Sequence, residues 1–239
     1  MRIFSRIAVA MAAMASTVAA LPAVAAPGKL PDTMEQRVAA CIACHKANEQ
    51  GDAFFPRIAG KPATYLYNQL LNFKQGRRHY PMMTYMVDQL PDAYLREIAQ
   101  YFSEQHAPYP PPAPTSATPQ MIERGRVLVH QGEPARKVPA CVACHGQAMT
   151  GLAPAIPGLI GLPRDYINAQ FGAWRNQKRK AHAPDCMADI ANRLSDADVA
   201  AVSGWLAAQP ADPNARPATA LPQPLPMECG GLPTQKSDK

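Results

Sequence analysis

A chain of 239 residues with 24 Lys+Arg against 18 Asp+Glu carries a formal charge of +6, too mild and too dispersed to argue for nucleic-acid binding. The length admits one large domain or two small ones. Beyond the first thirty residues no stretch is long and apolar enough to cross a membrane.

The opening segment "MRIFSRIAVAMAAMASTVAALPAVAAPG" sets Arg2 and Arg6 before an apolar run and ends in small residues. This pattern predicts a secretory signal peptide over 1–25, cut after the A-x-A triplet Ala23-Val24-Ala25. Loss of Arg2 and Arg6 leaves 22 basic against 18 acidic residues, a formal +4. Export to the periplasm places all six Cys where thiols oxidise unless a metal, a cofactor or a partner sulfur occupies them.

The mature chain reads as two copies of one helical unit, predicted as a first domain over 26–107, a Pro-rich linker over 108–119, a second domain over 120–211 and an irregular tail over 212–239. "FPRIAGKPATYLYNQL" (55–70) aligns with "IPGLIGLPRDYINAQF" (156–171) at an offset of 101, pairing Pro56 with Pro157, Gly60 with Gly161, Tyr65 with Tyr166 and Gln69 with Gln170. Farther on the offset is 104, pairing Met83 with Met187 and Leu90 with Leu194. The second copy therefore carries an insertion near "RNQKRKAHAP". Entry helices are expected over 33–45 and 119–131. Closing helices are expected over 91–105, with Leu95, Ile98, Ala99 and Phe102 at helical spacing, and over 195–208, where "SDAD" is a capping-box start. No alternating run is long enough to build a sheet, so the fold class is all-α. Each half has little apolar surface to bury and needs a staple.

"CIACH" (41–45) and "CVACH" (141–145) supply that staple. Two Cys one helical turn apart reach neighbouring vinyl groups on a porphyrin edge, and the adjacent His is placed to bind iron. A thioredoxin-type dithiol needs no following His, and a zinc site wants its ligand pairs close together at other spacings. Two covalent haem c groups are therefore expected, on Cys41 and Cys44 with His45, and on Cys141 and Cys144 with His145. The sixth iron ligands are expected to be Met83 and Met187, which hold equivalent positions in both copies. Met82 and Met86 compete with Met83, Met149 competes weakly with Met187, and His79 is a further alternative. His106, His130 and His182 read as surface or core residues. Pro56 and Pro157 follow their His by 11 and 12 residues, where a loop carbonyl can accept the outer imidazole N–H.

The chain resembles the cytochrome c4 family, through "CIACH", "FPRIAGKPATYL", "PMMTYM", "CVACHG" and "MADIANRLSD", over nearly all of the mature chain to about Ala211. The resemblance implies two tandem class I cytochrome c domains related by pseudo-twofold symmetry, with the haems facing each other across the junction. It also implies ligation by His45 with Met83 and His145 with Met187. Lys46 where Gly usually follows the motif, the insertion around Lys178–His182, and the Cys186/Cys229 pair with its tail depart from the family pattern.

With four Cys taken by haem, Cys186 and Cys229 form an even remainder, and an intramolecular disulfide is expected. It would tie the tail against the Met187 side of the second haem and leave the first haem the more exposed. Two free thiols, or a Cys229 bridge to a partner, are the alternatives. The basic run 175–180 is read either as a solvated helix end or as a surface for haem propionates or an acidic partner.

The function expected is electron transfer in the periplasm, from a dehydrogenase or quinol-oxidising complex to a terminal oxidase, with peripheral membrane association left open. A cytochrome subunit held permanently on a dehydrogenase is the alternative. A dihaem enzyme would need one open iron, which two aligned Met argue against.

Overall fold

The computed structural model describes residues 32–46, 52–112 and 114–232; the leader expected over 1–25 lies outside them. Thr33 accepts a hydrogen bond from the Gln36 amide and starts α1 (Met34–Arg37). The chain leaves helical geometry at Val38 and resumes as α2 (Ala39–Cys44), so the entry helix expected over 33–45 is two pieces. Val38 is fully buried in a cluster with Leu66, Ile98, Ala99 and Phe102, and seating that side chain outweighs an unbroken helix.

The first half continues with α3 (Ala63–Lys74), α4 (Pro81–Val87) and α5 (Asp92–Glu104). Pro81 occupies the first turn of α4, where its missing N–H has no partner to lose. The apolar positions read from the sequence in 91–105, Leu95, Ile98, Ala99 and Phe102, are the buried face of α5. A second small cluster joins Leu95 to Phe73 and Val87. The Pro-rich segment that follows is anchored at its start: Arg57 donates to the carbonyls of Ala107 (2.5 Å) and Pro108 (3.2 Å) and lies over the Tyr109 ring.

In the second half α6 (Pro119–His130) and α7 (Val142–His145) lead to α8 (Arg164–Arg175), α9 (Cys186–Arg193) and α10 (Asp196–Ala207). One continuous core gathers Leu128, Phe171, Val199, Val202 and Leu206 from three of these helices. Helices α6 and α10 cross so closely that a Cβ on Gly125 would stand 2.3 Å from the Ala201 carbonyl oxygen. The Ser195–Asp198 capping box forms as expected, and Asp198 also receives Arg124 and Arg136. The architecture is all-α apart from a two-residue antiparallel pair, β1 (Gly151–Leu152) with β2 (Ile156–Pro157). The tail joins this pair through a parallel bridge between Leu152 and Ala218.

Candidate haem sites and the junction between them

Each Cys-x-x-Cys-His motif sits on a short helix that ends against its own His. Cys41 and Cys44 lie on α2 with His45 as its C-cap, whereas Cys141 caps the N-terminus of α7, which carries Cys144 and His145. Burial pushes the Cys41 and Cys144 thiols up and the Cys141 thiol up to about 12. A redox dithiol of the thioredoxin kind depends on the opposite shift, toward thiolate.

The two histidines are held identically. His45 Nδ1 is 2.8 Å from the Pro56 carbonyl oxygen, and His145 Nδ1 is 2.8 Å from that of Pro157. A carbonyl only accepts, so Nδ1 carries the proton and Nε2 is the bare nitrogen available to a metal. Burial lowers the pKa of both imidazoles, against the Pro carbonyls that raise it; Arg78 lowers His45 further and Lys61 lowers His145 further. Both rings are thus kept neutral, the form that binds iron.

Each His opens into an apolar cavity. The lining of the cavity in the first half includes Cys41, His45, Pro56 and Met83. That of the cavity in the second half includes Cys141, Cys144, His145, Pro157 and Met187. Cys44 is half-buried and does not line the first cavity. Of the competing side chains, Met82 is 52% exposed, Met86 packs with Met83 against the cluster of Phe73 but does not line the cavity, and Met149 is a core residue. His79 lines the first cavity but is exposed; His130 lies edge-on to Trp205, and His182 meets Arg77.

The two cavities share a wall. Tyr65 and Gln69 of α3, Tyr166 and Gln170 of α8, Lys61 and Arg179 line both. Arg78 and Arg179 form an antiparallel bridge, closed by His79 N–H to the Lys178 carbonyl (2.6 Å) and Lys180 N–H to that of Arg77 (2.7 Å). Their side chains cross between the halves in matching fashion. Arg78 donates to Gln69 (3.0 Å), Tyr166 (2.9 Å) and Gln170 (2.8 Å), while Arg179 donates to Gln170 (2.8 Å), Gln69 (3.3 Å) and Tyr65 (3.4 Å). Arg78 stacks on Phe73 and Arg179 on Trp174. Each pair in this description repeats at the offset of 101, which makes the junction pseudo-twofold.

Arg179 is 7% exposed, and neither guanidinium meets a carboxylate among the described residues. Burial lowers the Arg179 pKa and opposes ionisation of Tyr166, yet the two guanidiniums together hold the Tyr166 phenol below its usual value. Buried cations need an anionic partner, and the acidic substituents of a haem are of the right charge. Lys61 adds a third cation, its ammonium donating to the Gly158 carbonyl (2.8 Å), with its pKa lowered to about 7 by burial and by Arg57. The basic run is thus divided: Lys178 and Lys180 stay at the surface and Arg179 does not. Gln177, with φ of 55°, turns the chain after α8 as Gly76 does after α3, and Arg179 goes inside.

Cys186, the first residue of α9, is bonded to Cys229. The tail is thereby brought to the second cavity, which Met227, Cys229, Gly231 and Leu232 help to line. Gly230 N–H bonds the Pro184 carbonyl, and Asn68 of the first half bonds that of Gly231 (2.9 Å).

The family model described as Cytochrome c matches residues 35–106. A thiosulfate dehydrogenase electron acceptor of Thiomonas intermedia is 38% identical over 74% of this chain and 81% of its own length. A cytochrome c4 of Pseudomonas aeruginosa is 33% identical over 72% of this chain and 85% of its own. The chain belongs to the cytochrome c4 family. The crystal structure of reduced cytochrome c4 from Pseudomonas stutzeri superposes with a TM-score of 0.60 at 30% identity, over 72% of this chain and 94% of that one. Membership makes this an electron-transfer protein of the haem c type rather than an enzyme. Sequence reasoning missed Arg78 and Lys61, and named Arg179 only within the run 175–180. The offset of 101, carried on into the basic run, would have found the arginine pair.

Proposed function

We propose that the chain is a dihaem carrier that moves single electrons in the periplasm from a dehydrogenase or quinol-oxidising complex to a terminal oxidase. The observation that supports this best is the pair of back-to-back cavities with a shared, cation-lined wall, one lined by Cys41, His45 and Met83 and the other by Cys141, Cys144, His145 and Met187. Cys41, Cys44, Cys141 and Cys144 attach the two haems; His45 with Met83 and His145 with Met187 are the iron ligands; Pro56 and Pro157 fix the imidazoles. When bound, the haems supply reversible one-electron chemistry, and an imidazole with a thioether ligand favours a raised potential. Arg78, Arg179 and Lys61 balance the acid groups and hold the two halves in register. The domain division is taken as 26–107, 108–119, 120–211 and 212–239, behind a leader over 1–25.

Thiosulfate dehydrogenase is the first donor to test, because a relative 38% identical is named as its electron acceptor. A permanently bound subunit is the second reading, favoured by the ordered tail.

Met83→Ala and Met187→Ala should each remove part of the Met-to-iron charge-transfer band of the ferric protein and open one iron of the ferrous protein to carbon monoxide. A Met83→Ala protein with an unchanged band would hand that position to Met82 or Met86. Stopped-flow mixing with reduced thiosulfate dehydrogenase distinguishes a carrier, whose rate depends on concentration, from a subunit that co-purifies.

A further inference from the structure

Among the described residues the exposed large apolar side chains are Ile42 (39%), Phe54 (62%), Met82 (52%) and Tyr85 (84%). All four belong to the first half. Their counterparts in the repeat are Val142 and Ala155, which are buried, Cys186, which is tied to the tail, and Asp189, which is paired with Arg193. Two halves built alike therefore differ at every one of these positions, in the same direction.

Phe54 and Tyr80 rings stack at 6.4 Å, which joins the 52–56 loop to α4. Both line the first cavity together with Met83, while Met82 and Tyr85 of α4 face outward. The matching helix in the second half, α9, begins with Cys186 under the tail. Just before α4, the bonds from His79 to Lys178 and from Lys180 to Arg77 bring three cationic residues together at the junction, Lys178 at the first cavity and Lys180 at the second. Arg77 binds neutral partners, Asn72, Gln75 and His182, and neither it nor Lys178 nor Lys180 meets a carboxylate among the described residues. Asp52, in the adjoining loop, accepts the amides of Phe54 and Phe55.

We propose that Phe54, Met82 and Tyr85, with the cations Arg77, Lys178 and Lys180, form the docking face for one redox protein whose contact surface is an apolar centre flanked by carboxylates. The tail closes the equivalent face over the second haem site, so electrons are exchanged with that partner through the first. Apolar contact area gives such a complex its affinity, and the opposite charges orient the encounter and speed it. The proposal rests on the electron-carrier reading.

The probe is a gold electrode bearing a mixed carboxylate- and methyl-terminated monolayer, with the haem-loaded, full-length protein adsorbed on it. The double variants Phe54→Ser/Tyr85→Ser and Lys178→Glu/Lys180→Glu should each lower the interfacial electron-transfer rate at least tenfold, and the wild-type rate should fall as salt is raised. Spectra of the dithionite-reduced proteins keep the two readings apart. Variants that contain two reducible haems and still exchange electrons at the wild-type rate overturn the docking face; wild-type protein lacking reducible haem overturns the carrier reading itself. Wild-type binding to phosphatidylglycerol vesicles, lost in the same variants, would make the face a membrane contact and likewise overturn the proposal.

Discussion

Replacing both cysteines of the bridge, Cys186→Ser/Cys229→Ser, isolates what the tail contributes. The bridge spans 43 residues, and constraining a loop of that size in the unfolded chain is worth about 4 kcal/mol by chain-entropy arithmetic. The loop encloses α10, whose Val199, Val202, Trp205 and Leu206 belong to the main core of the second half. Unfolding that half must open the loop, so the loss falls on global stability and not on the tail alone. At about 2–4 °C per kcal/mol for a chain of this size, the midpoint of thermal unfolding should drop by about 8–16 °C. Far-UV circular dichroism of the haem-loaded protein reads the midpoint, and denaturant titration gives the free energy. A drop of less than about 2 °C would refute the entropic account, and free thiols at both positions in a non-reducing peptide map of the wild type would refute the bridge.

Gly125→Ala should destabilise by about 2–3 kcal/mol despite the better helix propensity of Ala, because the new methyl meets the Ala201 carbonyl and the Trp205 Cβ; an unchanged unfolding midpoint would contradict the crossing. Burial works against ionisation of Asp198, but hydrogen bonds from Ser195, Arg136 and Arg124 hold its carboxyl well below the usual carboxylate range. Its folded pKa is lower than the unfolded value near 4, so its stabilisation is complete above about pH 4 and is lost as pH falls toward the folded value. Asp198→Asn should therefore cost about 2–4 kcal/mol at neutral pH, where the arginines are still a third exposed, and should flatten the acid limb of the stability curve. Arg179→Gln removes a cation from the wall shared by both cavities and should lower both reduction potentials by on the order of tens of millivolts; spectroelectrochemical titration measures it, and unchanged potentials would place the charge elsewhere.

The local chemistry was legible in the sequence because it is written in short, fixed spacings. The motifs, the carbonyls of Pro56 and Pro157, the capping box at Ser195 and the pairing of Cys186 with Cys229 all appear where residue type and spacing put them. The break at Val38 was not legible, because it arises from tertiary contact with α5 and not from a helix-breaking residue. The junction was missed for a related reason. Arg77, Arg78 and the run 175–180 look like solvent-facing charge until the two halves meet, and only then do Arg78 and Arg179 find Gln69, Gln170 and the tyrosines. Their pairing at an offset of 101 also narrows the insertion to 180–186, the segment that carries the Asp185 cap and the bridge to the tail.

The central claim is that one chain holds two covalent haems. Intact-mass spectrometry of the exported protein, denatured in acid to strip any haem that is not covalently attached, tests it most directly. The account predicts a single species beginning at Ala26 with the added mass of two haems. A species with one haem, or with none, would contradict it.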